Sequence, residues 1–65
     1  MKATLKDEII KSGFTGSQHR ATLTVDPEDL SDGFNKIELV IEGYDSMPDT
    51  EAQKIARAMG LEIVR

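Results

Sequence analysis

Two stretches of this chain alternate apolar and polar residues with a period of two. In residues 19–25, Ala21, Leu23 and Val25 fall on one side, and Arg20, Thr22 and Thr24 on the other. In residues 34–42, Ile37, Leu39 and Ile41 oppose Lys36, Glu38, Val40 and Glu42. Successive side chains of a strand point to opposite faces, so each stretch predicts a strand with one buried side. Asp26-Pro27 stops the first and Gly43 the second. Between them lies a polar, acidic connection, with Leu30 tucked beneath it and Gly33 closing the turn. Consecutive strands with a short link usually pair antiparallel, which predicts a hairpin.

A sheet with one apolar side needs a cover. Ala52, Ile55, Ala56 and Met59 recur at the i, i+3, i+4, i+7 spacing of a buried helical stripe, while Glu51, Lys54 and Arg57 face water. The helix starts within residues 46–50. Pro48 suits a first turn there, and Thr50 with Gln53 makes a capping box. Gly60 ends the helix and Leu61 contacts Ala56. Residues 61–64 then form a short last strand with Leu61 and Ile63 inward. The strand-helix-strand crossover makes its two strands parallel.

The first twelve residues predict a helix over residues 4–12. Thr4 caps the amide of Asp7, and the Asp7 carboxylate favours the positive end of the helix. Leu5 and Ile9 are four apart and share a face, with Ile10 beside them. Gly13 stands where a left-handed terminator belongs, and Phe14 folds back onto Ile9. The rival reading is an edge strand over residues 1–10. Residues 15–18 read as a loop. The element order becomes α-β-β-α-β: a small two-layer α+β domain. Its three-stranded mixed sheet contains an antiparallel hairpin, runs in order 2-1-3 or 1-2-3, and carries at least one helix on one face.

The chain has 65 residues and no cysteine. It forms a single domain over residues 1–65. A chain this small buries only about 60% of its unfolded surface, so a homodimer is one expected source of added stability. Without cysteine there is no disulfide, no thiolate nucleophile and no Cys-based zinc site, which fits a reducing compartment. The longest apolar run, Leu39-Val40-Ile41, falls far short of the roughly 20 residues that span a bilayer. No apolar stretch follows Lys2 as a secretory signal requires. The expectation is a cytoplasmic protein with no membrane partner.

Charge is segregated. Nine of the twelve acids lie between Asp26 and Glu51, where Lys36 is the one base. The segments on either side are mildly basic, so the net charge of -4 conceals a polarised chain. Such a field steers charged partners.

Reactive motifs are scarce. His19 is the one histidine; as a general base it needs a nucleophile and an orienting group. Aligning the acidic cluster to a calcium-binding loop with Gly33 at position 6 puts Leu30 at position 3 and Leu39 at position 12, where oxygen ligands belong. Gly13-Phe14-Thr15-Gly16 has the G-x-x-G spacing of one nucleic-acid-clamping loop, yet a strand rather than a helix follows it and no basic groove accompanies it. Neither glycine-rich phosphate motif occurs.

These features predict no catalytic residue, no metal and no cofactor. They predict a non-catalytic binding module, a regulator, adaptor or inhibitor that docks on a protein partner. Its surface is either the acidic hairpin face, built from Asp26, Glu28, Asp29, Asp32, Glu38, Val40 and Glu42, or a sheet edge. Acids in that array could meet a basic patch or imitate DNA phosphates. Exposed Val40 and Val64 would add an apolar element, unless the first helix covers that face. The alternative is nucleic-acid binding through Lys2, Lys6, Lys11, Arg20, Lys54 and Arg57, if both helices lie on one side of the sheet. An accessory metal-binding component is a third option.

Overall fold

A computed structural model describes residues 1–14 and 16–64; Thr15, Arg65 and the side chain of Asp29 lie outside that description. Strand β1 spans Lys2–Gly13 and strand β2 spans Gly16–Val25. They pair antiparallel from Ala3↔Val25 to Gly13↔Gly16, forming one long hairpin. The expected first helix is therefore wrong; the rival edge-strand reading over residues 1–10 is right that a strand forms, but the strand runs to Gly13 and lies between β2 and β4 in the sheet. The physical reason is that a spacing of four residues suits both periods. Leu5 and Ile9 share a face in a strand as they do in a helix, and Ala3 extends the row only in the strand. Thr4, Ile9 and Ile10 are β-branched and favour extended backbone. An isolated helix of nine residues is marginal, whereas the β2 ladder satisfies every second peptide group.

The glycines follow suit. Gly16 holds the positive φ of 130°, and Gly13 does not. Phe14 does not fold back on Ile9; it stands fully exposed at the hairpin tip. Residues 16–18, expected in a loop with Thr15, begin β2.

Strand β3, Glu38–Tyr44, pairs antiparallel with β2 through Leu23↔Leu39 and Ala21↔Ile41. It starts four residues later than its alternation suggested, and Phe34 is exposed in the connection. That connection contains a 3-10 turn, Pro27–Asp29, in which Asp26 Oδ1 accepts from the Glu28 amide at 3.0 Å. Leu30 packs against the core as expected. Strand β4, Glu62–Val64, lies parallel to β1 against Lys2–Thr4. The sheet thus has four strands in order β3-β2-β1-β4, and the element order is β-β-β-α-β. This replaces the three-stranded α-β-β-α-β arrangement; the α+β class stands.

Helix α1, Met47–Ala58, packs on one face of the sheet. Ala52 and Ala56 on α1 and Ala21 on β2 share the buried core with no exposed surface, and such small side chains let helix and sheet approach closely. Ala3, Leu5, Leu23, Val25 and Leu61 complete the buried core. The Thr50–Gln53 capping box does not form. Instead the Thr50 amide and hydroxyl both donate to the Ser46 carbonyl at 3.0 Å, and Gln53 donates to Asp49 at 2.7 Å. At the other end Gly60 has φ 75°, its amide donates to Arg57 and the Leu61 amide donates to Ala56. These two bonds are the Schellman closure that the glycine predicted. Met59, placed in the buried stripe by its spacing, is exposed at the C-cap. No helix among the described residues is long and apolar enough to cross a membrane.

The alanine contact sets a clear expectation. Ala52→Leu overfills the helix–sheet seam and costs about 1–3 kcal/mol, while Met59→Ala stays within about 0.5 kcal/mol. Urea unfolding of the two variants checks the contrast.

Candidate functional site: an open sheet face and a projecting strand edge

Even-numbered residues of β2 and β3, and of β1 up to Glu8, point away from α1. Nothing among the described residues covers that side, so Val40 and Val64 remain about half exposed. Glu38, Val40 and Glu42, three of the expected docking residues, form one row along β3. They do not stand alone. Arg20 on β2 lies between Glu42 and Glu8, opposite both in register. Its guanidinium donates to Glu42 Oε2 at 3.1 and 3.3 Å. Lys36 approaches Glu38 at 3.3 Å, and Lys6 reaches Glu8 at 4.0 Å. The face is a ladder of alternating charge, closed by threonines 4, 22 and 24. Its hollow, about 670 Å³, is a shallow trough open to water.

The other expected acids lie elsewhere. Asp26 and Glu28 shape the 3-10 turn, and Asp32 follows in the same connection, at the end of the sheet opposite the hairpin tip. The Asp29 side chain lies outside the described residues. The basic set is divided as well. Lys2, Lys6, Lys11 and Arg20 belong to the sheet, while Lys54 and Arg57 are on α1, where Lys54 pairs with Glu51 at 3.3 Å. The two-helix arrangement that was to gather these bases is absent, because the first helix is β1.

His19 has a partner that its sequence neighbourhood did not suggest. Its Nδ1 lies 3.1 and 3.3 Å from the Asp7 carboxylate, on the α1 side of the sheet but beyond the core. Facing a carboxylate, that nitrogen carries the proton and donates it. A carboxylate orients an imidazole in this way in a catalytic triad. Here no serine, threonine or tyrosine hydroxyl bonds the ring among the described residues. No cluster of three or more His, Asp or Glu side chains suitable for a metal occurs among them either.

The feature that sequence reasoning missed is the free edge of β1. Strand β4 pairs with Lys2–Thr4. From residue 6 to residue 13 the edge of β1 has no strand partner among the described residues. Beyond Gln18, which pairs with Tyr44, the hairpin also outruns β3. Only residues 12–14 and 16–17 extend past β3, as the two-stranded tip of a hairpin in a molecule of 46 × 20 × 16 Å. Ile9, Ile10 and Phe14 are exposed along that hairpin. A register shift between Ile9 and Lys11 leaves Ile10 as a bulge and returns Lys11 to the outer face, beside Gln18 and Tyr44. No family model, no curated protein and no solved structure matches this chain.

The ladder on the open face contributes little to stability, since its groups are close to half exposed. A double-mutant cycle on Arg20→Ala and Glu42→Ala yields a coupling of about 0.2–1 kcal/mol that shrinks as salt is added. Thermal unfolding at low and high ionic strength checks both parts.

Proposed function

We propose that this chain is a non-catalytic binding module that recognises a protein partner by strand addition along the free edge of β1. The observation that carries this reading is the length mismatch: β1 has twelve residues and β4 covers three of them. An extended segment laid on the remaining edge gains main-chain hydrogen bonds, while the flanking side chains choose the sequence. Ile9 and Ile10 offer apolar contact on that edge. Lys6, Glu8 and Lys11 supply charge on its outer side. The row Glu38, Val40 and Glu42 supports this reading less well, because its acids already have basic neighbours. Nucleic-acid binding has less support again, with its candidate bases on two sides of the molecule.

Backbone geometry supplies the test. The Lys2 carbonyl accepts from Asp26 on the β2 side, and the Met1 carbonyl accepts from Glu62 on the β4 side. Peptide groups alternate along a strand, so Asp7 and Ile9 direct theirs outward. Ile9→Pro therefore removes an outward donor and leaves the β1–β2 ladder intact. In capture from the native host's lysate, proteins retained by the wild type are expected to be lost with Ile9→Pro and kept with Glu38→Lys/Glu42→Lys. Retention insensitive to Ile9→Pro, in a variant that circular dichroism shows to be folded, overturns the reading.

A further inference from the structure

We infer that the partner accepted by the β1 edge is a second copy of this chain, paired antiparallel about a two-fold axis between Ile9 and Ile10. The inference rests on the strand-addition reading above and names its occupant.

Three constraints select one register. The first is the side of the sheet. Residues opposed across an antiparallel pair share a face. Asp7 opposes Ala21 on the α1 side and Glu8 opposes Arg20 on the outer side; past the bulge Lys11 opposes Gln18 and Ser12 opposes Ser17. Glu8 therefore belongs opposite Lys11, and Asp7 opposite Ser12. The second is hydrogen bonding. Asp7 directs its peptide groups outward, as does Ser12 once the bulge has shifted the alternation. This register sets the two against each other, so each Asp7–Ser12 pair can exchange two N–H···O bonds. Glu8 and Lys11 then form the non-hydrogen-bonded pair, in which side chains come closest. The third is charge. The register makes two Glu8–Lys11 attractions per dimer. Sliding it by two residues in one direction sets Lys6 against Lys11 in two places; sliding it in the other leaves Glu8 against Gly13 with no charge pair. Within its own chain Lys11 has no ion-pair partner among the described residues, and Glu8 has a loose one in Lys6 at 4.0 Å.

The same reasoning disfavours the opposite edge in the register centred on Val40. Strand β3 is open along its length, but centring it on Val40 sets Glu38 against Glu42 in two places. Joining β3 of one copy to β1 of the next makes a heterologous contact, which closes only where its rotation completes a ring. The β1–β1 contact is self-complementary and closes at two copies. It fills the edge from the end of β4 to the hairpin tip, and it brings Phe14 of each copy up to the partner's β4. Charged side chains and a bulge on an edge guard against indiscriminate pairing. Here the guard charges repel a random strand and fit their own copy.

Sedimentation equilibrium of the full chain tests this with two single variants. The wild type is expected to be a dimer. Glu8→Lys and Lys11→Glu each set like charges opposite one another in two places, and each weakens its homodimer by about tenfold or more. Mixed together, the two variants restore both attractions, so a heterodimer forms with wild-type affinity to within about threefold. Circular dichroism confirms that each variant is folded; Lys11→Glu faces neutral Gln18 within its own chain and leaves the hairpin's internal charges untouched. A wild type that stays monomeric up to about 1 mM overturns the inference. So does a mixture that associates no better than its components. A monomeric wild type whose lysate capture is still abolished by Ile9→Pro removes the second copy as occupant and leaves strand addition standing. Loss of neither association nor capture in Ile9→Pro removes both.

Discussion

The antiparallel ladder between β1 and β2 supplies both the middle of the sheet and the arm that leaves it. Its lower half is anchored: Ala3 and Leu5 on β1, with Ala21, Leu23 and Val25 on β2, lie beneath α1. Its upper half lies outside the buried core, and at its tip residues 12–14 and 16–17 run past β3 with no third strand among the described residues. A two-stranded ribbon alone is marginal in water, so this tip, the arm, depends on the rest of the ladder for its order. The free edge is a direct product of that asymmetry. Had β4 run the length of β1, the open edge on that side would belong to β4 instead.

The hairpin is held close to its tip by side-chain and backbone bonds. Asp45, in the turn between β3 and α1, adopts a left-handed φ of 53°. Its amide donates to the Ser17 carbonyl at 2.8 Å, and its Oδ1 accepts from the Ser17 amide at 3.2 Å. Aspartate tolerates that backbone better than most residues. The neighbouring Gly16 leaves the room: a Cβ there would stand 3.1 Å from the Asp45 carboxylate. On the α1 side, His19 and Asp7 bridge β2 and β1. Asp45, His19 and Asp7 thus all take part in how the hairpin leaves the sheet.

What could be read from sequence follows from which signals were unambiguous. Strands β2 and β3 announced themselves because their alternation breaks the helical period, and α1 because its spacing breaks the strand period. Gly60 and Leu61 gave the helix end correctly, since a Schellman closure needs only local residues. Strand β1 was misread where both periods share the Leu5–Ile9 interval. Gly13 and Gly16 then served a hairpin closure that looks, in sequence, like a helix stop. The row Glu38, Val40, Glu42 could be placed on one face, but not its countercharge: Arg20 is 22 residues away and arrives by register. The free edge was hidden for a similar reason. It lies along β1 beyond the three residues that pair with β4, and seeing it takes a comparison of two elements far apart in the chain.

A core this small makes folding and association hard to separate. Among the described residues its core cluster has eight buried hydrophobic side chains, and four are alanines, each contributing little area. Anything that binds the native sheet and not the unfolded chain adds its binding free energy to stability, in proportion to the logarithm of its concentration. The gain falls unevenly, because a strand laid on residues 6–13 holds the arm, the part least supported from within. Local opening is cheapest where buried contacts are fewest, so protection of backbone amides should decline from Leu5 toward Gly13 in the isolated chain. An occupied edge reverses that gradient. The arm is then a segment whose order reports on its partner, which is a physical route from a short β4 to a binding-dependent fold.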